Sequence, residues 1–421
     1  MNVLRPIALL VFLCLVSFAT ADTLENANGK TKVIQVSPET LSASLNAAQP
    51  DDVIELSAGV YKGGITVRCS GTKGAPIHIT TAQKGVRIDS SGAEYGVMVV
   101  GSWVDISGLA TENSKIGILV SNTEHVQLKK CTLANSGKCG VRLLQVKHCV
   151  VEECEVSGTL EGSGINVLGA GEDVRIARNV VRGNAIGGVY VDGHPGYDGG
   201  GVLTGVVVEE NIISGNSPHN GGCAVALVSA RNCTVRNNLI TENRGHGIGL
   251  YAGGLMGGDP ENGARDNGIY NNTVVMSRDQ SQDSLYLRDW SKGNTVKNNI
   301  FVGGRFSVIN PEETCLDGMK CDYNVIANYD EMINVGDASE ATGEMRDEWT
   351  NAGWDAHSTF GVVPTFAAAG DFHLATGSAG IDMGTDLREL VPGDAAGVSR
   401  PQGRGYDCGC YENHAVDAPK D

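Results

Sequence analysis

The chain has 421 residues and a formal net charge of −17 at pH 7. This acidic balance argues against a nucleic-acid-binding protein, because such proteins need a basic face. It also implies that a polyanionic sugar would need a local positive patch, whereas an acidic surface can recruit calcium. With 57 Gly and only 7 Phe, the composition is typical of a turn-rich repeat protein with a thin aliphatic core.

Residues 1–21 have the features of a secretory signal peptide. Arg5 supplies a positive start, residues 7–19 form an apolar stretch, and Ala19-Thr20-Ala21 is a small-residue cleavage site. The apolar stretch is too short to cross a membrane comfortably, since about 20 residues are needed. We therefore expect the signal to be removed and the protein to be secreted or periplasmic, without a membrane span and as a monomer.

Residues 39–48 have the spacing of apolar positions that is typical of a helix. Ser37 is suited to cap its N-terminus, and Pro38 to occupy its first position. Such a helix would cover the open end of a stack of strands, which otherwise exposes strand edges. The sequence therefore predicts an N-terminal cap at the start of the mature chain.

A short unit recurs along most of the chain, and residues 232–251 show one complete copy. Two β-like runs flank the pair Asn237-Asn238, and a third run follows at 248–251. Each unit is too short to bury a core alone, but a stack of units can do so. We expect the column of Asn238 to form tight turns whose amides bond the next copy. Its members are Cys131, Cys154, Asn179, Asn211, Asn238, Asn272, Asn299 and Asn324.

This pattern resembles the right-handed, single-stranded parallel β-helix with three sheets per coil, over roughly residues 50–330. The resemblance is to secreted, pectate-lyase-like β-helix proteins. Residues 371–412 of this chain resemble a tail that is common in those proteins, and we expect them to form the closing cap. The resemblance implies an all-β fold with a helical N-terminal cap and an irregular C-terminal cap. The expected divisions are a signal peptide at 1–21, a cap with the first coil at 22–66, coils at 67–330 and a C-terminal cap at 331–421.

Twelve cysteines less Cys14 of the signal leave eleven in the mature chain. Cys131 and Cys154 occupy the same slot of consecutive coils, about 4.8 Å apart, which is close enough for a disulfide. Packing as inward thiols is the alternative. Cys408 and Cys410 have no second Cys or His pair with the spacing of a zinc site.

In enzymes of this fold, the resemblance implies a site on the outer face of the first sheet, which the third run of each unit forms. Strand alternation sends every second residue outward. The long insertions at 193–205 and 252–266 lie beside the middle coils, and such loops usually carry function. Tyrosines over a floor of Ala226 and Gly249 predict a sugar-binding groove. The outward pairs are Leu119/Ser121, Arg142/Leu144, Asn166/Leu168, Tyr190/Asp192, Ala226/Val228, Gly249/Tyr251, Tyr286/Arg288 and Ser307/Ile309.

The segment from Tyr190 to His194 partly resembles the Asp-Pro-His motif of mannuronan C5-epimerases, with Gly193 in place of the proline. Removing the C5 proton of a uronic acid needs a base, an acid and a cation that neutralises the carboxylate. The predicted catalytic set is His194 as base, Tyr251 as acid, Arg288 as neutraliser and Asp192 as the group that orients His194 or positions the sugar. Tyr190 and Tyr286 are alternative acids. The predicted substrate-binding residues are Tyr190, His246, Tyr286, Asn166 and Asp289.

Two other chemistries have partial signals. Gly245-His246-Gly247 resembles the Gly-His-Gly of polygalacturonase-type glycosidases, and His219 could join the same groove. Inverting hydrolysis needs carboxylates about 6.5–9.5 Å apart, whereas Asp192 and Asp289 are three coils, or about 14 Å, apart. The resemblance to pectate-lyase-like β-helices also implies an Arg or Lys base with carboxylate-bound calcium, and Arg288 could be that base. Calcium is the one cofactor that the sequence suggests, and Asp259, Glu261 and Asp266 are a candidate set, with a solvated loop as the alternative.

The sequence therefore predicts an exported protein that acts on polysaccharide, with lyase or C5-epimerase chemistry on an acidic glycan as the leading hypothesis. A non-catalytic carbohydrate-binding or cell-surface scaffold is the alternative, and a glycoside hydrolase is a lesser one. The set of His, Tyr and Arg on one face favours an enzyme, whereas the incomplete motif favours a scaffold.

Overall fold

The computed structural model describes residues 31–81, 85–194, 202–219, 221–253, 260–327, 332–335 and 343–413. Within these residues, the chain winds into a right-handed parallel β-helix of about ten turns with three sheets. This confirms the predicted fold class. The expected signal peptide at 1–21 lies outside the described residues. None of the described helices is both long and apolar enough to cross a membrane.

The three sheets follow one another in every coil, and their strands pair in parallel with the coils before and after. The first sheet consists of Ile65–Val67, Tyr95–Val99, Ile116–Ser121, Cys139–Leu144, Ile165–Leu168, Val189–Asp192, Cys223–Val228, His246–Tyr251, Leu285–Leu287 and Ile309–Pro311. The second consists of Val33–Val36, Val53–Leu56, Ile77–Thr81, Val104–Ser107, Val126–Lys129, Val150–Glu152, Arg175–Ala177, Val207–Glu209, Thr234–Arg236, Gly268–Tyr270, Thr295–Lys297 and Lys320–Asp322.

The third sheet consists of Gly59–Lys62, Val86–Asp89, Ala110–Glu112, Thr132–Ala134, Glu155–Ser157, Val180–Arg182, Ile212–Ser214, Leu239–Thr241, Thr273–Val275, Ile300–Val302, Val325–Ala327 and Thr359–Phe360. Two small sheets lie outside the coils. One contains Gly171–Glu172, Leu203–Thr204 and Ala230–Arg231, and the other contains Phe366–Ala368 and Asp371–Leu374. The helices are α1 (Leu41–Ala47), α2 (Gly343–Asn351) and the 3₁₀ turns Pro260–Asn262 and Glu313–Cys315.

The asparagine column forms the predicted ladder between coils. Asn211 donates from its backbone N and its Nδ2 to Oδ1 of Asn238, at 3.0 and 2.9 Å. Asn238 makes the same pair of bonds to Asn272, at 3.0 and 2.9 Å. Because these amides are buried, every rung satisfies polar groups that would otherwise be unpaired.

The left-handed backbone that we expected at the ladder asparagines lies one residue earlier. Asn237, Asn271 and Asn298 have φ of 53°, 50° and 59°. The chain turns at these positions, and the following asparagine points its amide into the stack. The structure also has a second ladder, Asn184–Asn216–Asn243, which the sequence register did not predict.

Helix α1 covers the entry end of the core, as predicted, with Leu41 and Leu45 buried. It begins later than expected, because Ser37 does not cap it. The hydroxyl of Ser37 bonds the Glu39 carboxylate at 2.6 Å. Thr40 therefore stands at the N-cap position, without a side-chain cap bond.

The C-terminal region has two parts with different positions. Trp349 of α2 is buried in the core at the exit end. Residues 371–412, expected to close that end, instead lie along the flank of the last coils. There the amides of Asn237, Asn271 and Asn298 donate to the carbonyls of Gly393, Asp407 and Thr385, at 2.8, 2.9 and 2.8 Å. The left-handed turns of three coils thus hold the tail.

All eleven described cysteines are free thiols. Cys131 and Cys154 adjoin as predicted, and the backbone N of Cys131 donates to Sγ of Cys154 at 3.4 Å. Of the two alternatives that the sequence left open, the structure shows inward-packed thiols.

Candidate functional site

The outer face of the first sheet has two columns of side chains in register. Asn166, Tyr190, Ala226, Gly249, Tyr286 and Asn310 form one column. Asp192, Val228 and Tyr251 belong to the other. The middle coils therefore have the register that the sequence predicted.

The last strand has a different register from the predicted one. Ile309 pairs with Leu285 and faces the core, whereas it was expected to face outward. Ser307, also expected on the outer face, is buried, and its hydroxyl donates to Asp283 Oδ1 at 2.8 Å. Because side chains alternate along a strand, a slip by an odd number of residues reverses the facing of every side chain.

The floor between the tyrosines is apolar and tightly packed. Cys223, Ala226 and Val228 are buried there beneath Tyr190 and Tyr251. A Cβ on Gly249 would stand 2.4 Å from Sγ of Cys223, so only glycine fits. Burial raises the pKa of the Cys223 thiol to about 12, and the charge of Asp283 adds to this, whereas a hydrogen bond from Tyr251 opposes it. Cys223 is therefore a protonated, space-filling group.

One polar cluster lies where the strand Val189–Asp192 ends. Asp192 is 1% exposed. Its Oδ2 accepts the Tyr190 hydroxyl at 2.8 Å, and its Oδ1 accepts the backbone N–H of His194 at 2.7 Å. The ring of His194 packs on Gly253, where an added Cβ would stand 2.6 Å from the His194 Cβ. Asp192 thus orients the backbone of His194, and His194 is partly exposed.

A second polar cluster lies where the strand His246–Tyr251 begins, at the opposite edge of the sheet. His246 Nδ1 is 3.2 Å from Oδ2 of Asp283 and 3.4 Å from the backbone N–H of Asp283, which is directed at it as a donor. The two contacts compete, because the N–H needs the lone pair of Nδ1 whereas the carboxylate needs a proton there. The carboxylate contact is the shorter, and we assign the Nδ1 proton to it. The imidazole side chain is 13% exposed, whereas that of Asp283 is 2% exposed. A buried carboxylate therefore holds one edge of the ring, and Nε2 faces away from it.

The Asp283 carboxylate is fixed by the next coil. Its Oδ1 accepts the backbone N–H of Ser307 at 3.0 Å and the Ser307 hydroxyl at 2.8 Å. Its Oδ2 accepts Nδ2 of Asn310 at 3.2 Å. These donors satisfy the oxygens of a carboxylate that is almost completely removed from water.

Tyr286 lies between the histidine and an arginine. Its ring stacks on His246 with ring centroids 4.0 Å apart, and the Arg288 guanidinium lies 4.3 Å from its centroid. Arg288 is 8% exposed. It donates to the carbonyls of Leu287 and Asn310 at 2.9 and 2.8 Å, and to Oδ1 of Asn310 at 2.9 Å. Arg288 is therefore directed toward Asn310, away from the Asp192 cluster, which is three strands, or about 14 Å, distant.

The sequence analysis missed Asp283, Ser307, Asn310 and Cys223. A signal for three of them was present, since the positions two residues before the paired inward residues Val225, Ile248, Leu285 and Ile309 hold Cys223, His246, Asp283 and Ser307 in consecutive coils. Extending the register upstream by two residues would have placed the buried carboxylate beside the histidine.

The other predicted residues have separate positions. Asn166 belongs to the first column, and its Oδ1 is buried without a hydrogen-bond partner. The Asp289 carboxylate accepts the backbone N–H of Ala252 at 3.3 Å, and burial raises its pKa. His219 is exposed.

The predicted calcium set is not assembled within the described residues. Asp259 lies outside them, Asp266 is exposed, and the Glu261 side chain is 75% exposed and pairs with Arg265 at 3.5 Å. Among the residues that the structure describes, no three His, Cys, Asp or Glu side chains are placed to hold a metal ion.

Comparison with known proteins gives two kinds of match. Residues 64–273 match the family described as periplasmic copper-binding protein (NosD). Pectate lyase Pel9A has a similar structure, with a TM-score of 0.60 and 16% identity, over 92% of this chain and 97% of that one. No curated relative matches the sequence.

Two further structures are similar. A mannuronic-acid-specific family 6 lyase from human gut microbiota has a TM-score of 0.57 and 13% identity, over 74% of this chain and 84% of that one. The A-module of the Azotobacter vinelandii mannuronan C-5 epimerase AlgE4 has a TM-score of 0.52 and 14% identity, over 77% of this chain and 95% of that one. At such identities the likeness concerns the fold. The chain therefore shares its right-handed parallel β-helix fold with these three structures.

Proposed function

We propose that the protein is a polysaccharide lyase that removes the C5 proton of a uronate unit, with His246 as the base. The observation that carries this proposal is the buried Asp283 carboxylate held against Nδ1 of a histidine on the outer face of the first sheet. C5-epimerase chemistry at the same residues is the nearest variant.

The arrangement suits a base because one ring nitrogen is fixed by hydrogen bonding. With the proton on Nδ1 held by Asp283, Nε2 has the lone pair that accepts a proton, and the carboxylate stabilises the resulting imidazolium. In the reaction, the C5–H electron pair forms the C4=C5 double bond. The C4–O4 bond then breaks, and O4 takes a proton from an acid.

Tyr286 is the acid in this scheme. Its ring is stacked on His246 with centroids 4.0 Å apart, so acid and base lie on the same side of a bound sugar. This favours a lyase, which can remove the proton and protonate the leaving oxygen on one face, over an epimerase, which needs a donor on the opposite face. Arg288 adds positive charge from a buried position, as a fixed field, since protein acceptors already hold its guanidinium.

His194 is the second candidate base. It is partly exposed at the other edge of the sheet, but Asp192 binds its backbone N–H and the Tyr190 hydroxyl. Through these two bonds Asp192 orients the strand end and the backbone of His194. The Asp283 contact to a ring nitrogen orients the imidazole of His246 and stabilises its protonated form, which favours His246 as the base.

The similar structures support the substrate class. A pectate lyase, a mannuronic-acid-specific lyase and a mannuronan epimerase all act on polymers of uronic acids, and the periplasmic name of the matched family supports export. That name also implies copper. The described residues offer no cluster of three ligands for a metal ion, so they do not fit such a centre, and no step above is routed through it.

The test uses the pure protein with polygalacturonate, polymannuronate and polyguluronate. Absorbance of the unsaturated ends reports a lyase, and proton NMR in D₂O reports C5 inversion. We expect unsaturated ends and their loss, by about a hundredfold or more, in His246→Gln. His194→Gln and the exposed control His219→Gln should retain activity. If His194→Gln alone abolishes turnover, the base is His194. If the protein binds a glycan but yields neither product, it is a binding module or scaffold.

A further inference from the structure

The outer face of the first sheet has a second arginine, Arg142, whose hydrogen bonding differs from that of Arg288. Arg142 is in register with Asn166, and Asn166 with Tyr190, so it continues the column of the candidate site. Its Nε has no hydrogen-bond partner, and neither has Oδ1 of the adjacent Asn166. Arg142 also forms no ion pair with any described carboxylate, whereas Arg288 is held by two carbonyls and an amide oxygen.

Two lysines extend this positive charge along the strand starts. Lys115 and Lys138 occupy equivalent turns of consecutive coils, and the backbone N of Lys138 donates to the Lys115 carbonyl at 2.7 Å. Lys115 pairs with Glu94 at 2.6 Å. Lys115 lowers the pKa of Glu94 by this bond, and the charges of Lys138 and Arg142 lower it further. Lys138 is exposed and forms no ion pair with a described residue. Because Lys115 already neutralises Glu94, Lys138 and Arg142 remain as two cations without an ion pair among the described residues.

Lys138 immediately precedes the strand Cys139–Leu144, so the pair lies at the strand start, where His246 also lies. The charge of Arg142 opposes the rise in the pKa of the Cys139 thiol that burial causes, and Cys139 stands in the slot that His246 occupies later in the stack. Four strand spacings separate the two strands, or about 19 Å. A ligand that touches both must therefore be an extended chain that runs along the strand starts, across the coils.

Charge decides which chain fits. The protein has a net charge of −17, which repels a polyanion at long range, so binding needs cations that are not already neutralised. We propose that Lys138 and Arg142 form a remote subsite that binds a carboxylate of an acidic glycan several sugar units from the unit over His246. The position of this subsite relative to the reacting sugar unit rests on the proposed function, whereas its binding of the glycan is tested without any turnover.

Each carboxylate in such a subsite would gain a bidentate partner in Arg142 and a second cation in Lys138. The subsite therefore distinguishes acidic from neutral glycans and long chains from short ones, without taking part in the bond-breaking step.

The experiment compares the double variant Lys138→Gln/Arg142→Gln with the control Lys130→Gln/Lys147→Gln. The control removes the same charge from neighbouring coils, where Lys130 and Lys147 pair with Glu153 and Glu172 away from the outer face. Binding of polygalacturonate, polymannuronate, a uronate disaccharide and neutral dextran is measured by calorimetry at several salt concentrations. Thermal unfolding confirms that both variants are folded.

We expect the test variant to bind the acidic polymers more weakly, on the order of fivefold to tenfold, with a shallower salt dependence. The control should match the unaltered protein, and disaccharide and dextran binding should be equal in all three. Equal polymer binding by test and control variants overturns the subsite, as does an equal loss for the disaccharide. If the polymer effect holds but no glycan yields unsaturated ends, the subsite stands and the proposed lyase chemistry fails.

Discussion

His246 and Asp283 are 37 residues apart in the sequence, yet Nδ1 of the histidine lies 3.2 Å from the carboxylate. The backbone enforces this contact, because the N–H of Gly247 donates to the Asp283 carbonyl at 2.9 Å as the two coils pair. A histidine and a carboxylate in the same slot of consecutive coils thus become a dyad.

The dyad predicts a specific effect of Asp283→Asn. The amide keeps the size of the side chain but removes the negative charge that stabilises a protonated His246. We expect turnover on a polyuronate to fall by about a hundredfold or more with little change in KM. Asp279→Asn, an exposed carboxylate of the same loop, is the control and should leave turnover unchanged. A normal rate in Asp283→Asn would show that the dyad has no catalytic role.

The packing of the groove floor predicts that substitutions of Gly249 and Cys223 are coupled in their effect on the free energy of unfolding. Gly249→Ala places a Cβ 2.4 Å from Sγ of Cys223, so we expect it to lower the free energy of unfolding by about 1–3 kcal/mol. Cys223→Ala removes the sulfur, and the double variant should recover part of the loss. Denaturant unfolding of the four proteins measures the coupling energy. Strictly additive effects would mean that the two residues do not meet.

We expect the asparagines of the ladder to be the polar side chains that stabilise the coils most. Asn238→Ala removes the acceptor for two N–H groups of Asn211 and the donor to the Val208 carbonyl at 2.8 Å. Leaving such buried groups unpaired should lower the free energy of unfolding by about 3 kcal/mol. Asn46→Ala, on the exposed side of α1, is the matched control and should change it little. Chemical denaturation of both variants tests the difference.

The tail along the flank predicts a pH dependence of stability. Burial raises the pKa of Asp407 from 3.8 to about 6, although hydrogen bonds from the backbone of Asp382 and Asn413 oppose the shift. The folded state therefore binds this proton more tightly than the unfolded state. The contribution of Asp407 to stability is most favourable below about pH 4 and falls as the pH rises to about 6.

Asp407→Asn removes that titration. The stability of this variant relative to the unaltered protein should rise by about 2 kcal/mol between pH 4 and pH 7, since most of a shift of about two pKa units falls within this range. Urea unfolding over this pH range measures the difference. A difference that is flat with pH would mean that Asp407 titrates equally in the folded and unfolded states.

The repeat alone determined the fold, because a unit that recurs with alternating apolar residues has no other way to bury them than stacking. The same alternation placed Tyr190, Asp192, Tyr251 and Tyr286 on one face, and the asparagine column predicted its own ladder. These features depend on local backbone geometry, which a period of two along each strand reports directly.

Only the tertiary structure decided which side chains meet. Asp192 was expected to orient His194 or to position the sugar, and the structure shows that its carboxylate accepts the backbone N–H of His194 and the Tyr190 hydroxyl. Asp283 was overlooked, and it binds the His246 ring from the next coil. A strand pattern specifies facing, whereas contacts across coils depend on loop lengths and on the direction in which each side chain leans. The register of Ile309 was mispredicted for the same reason, because Gly303 and Gly304 extend the preceding turn with φ of 81° and 125°.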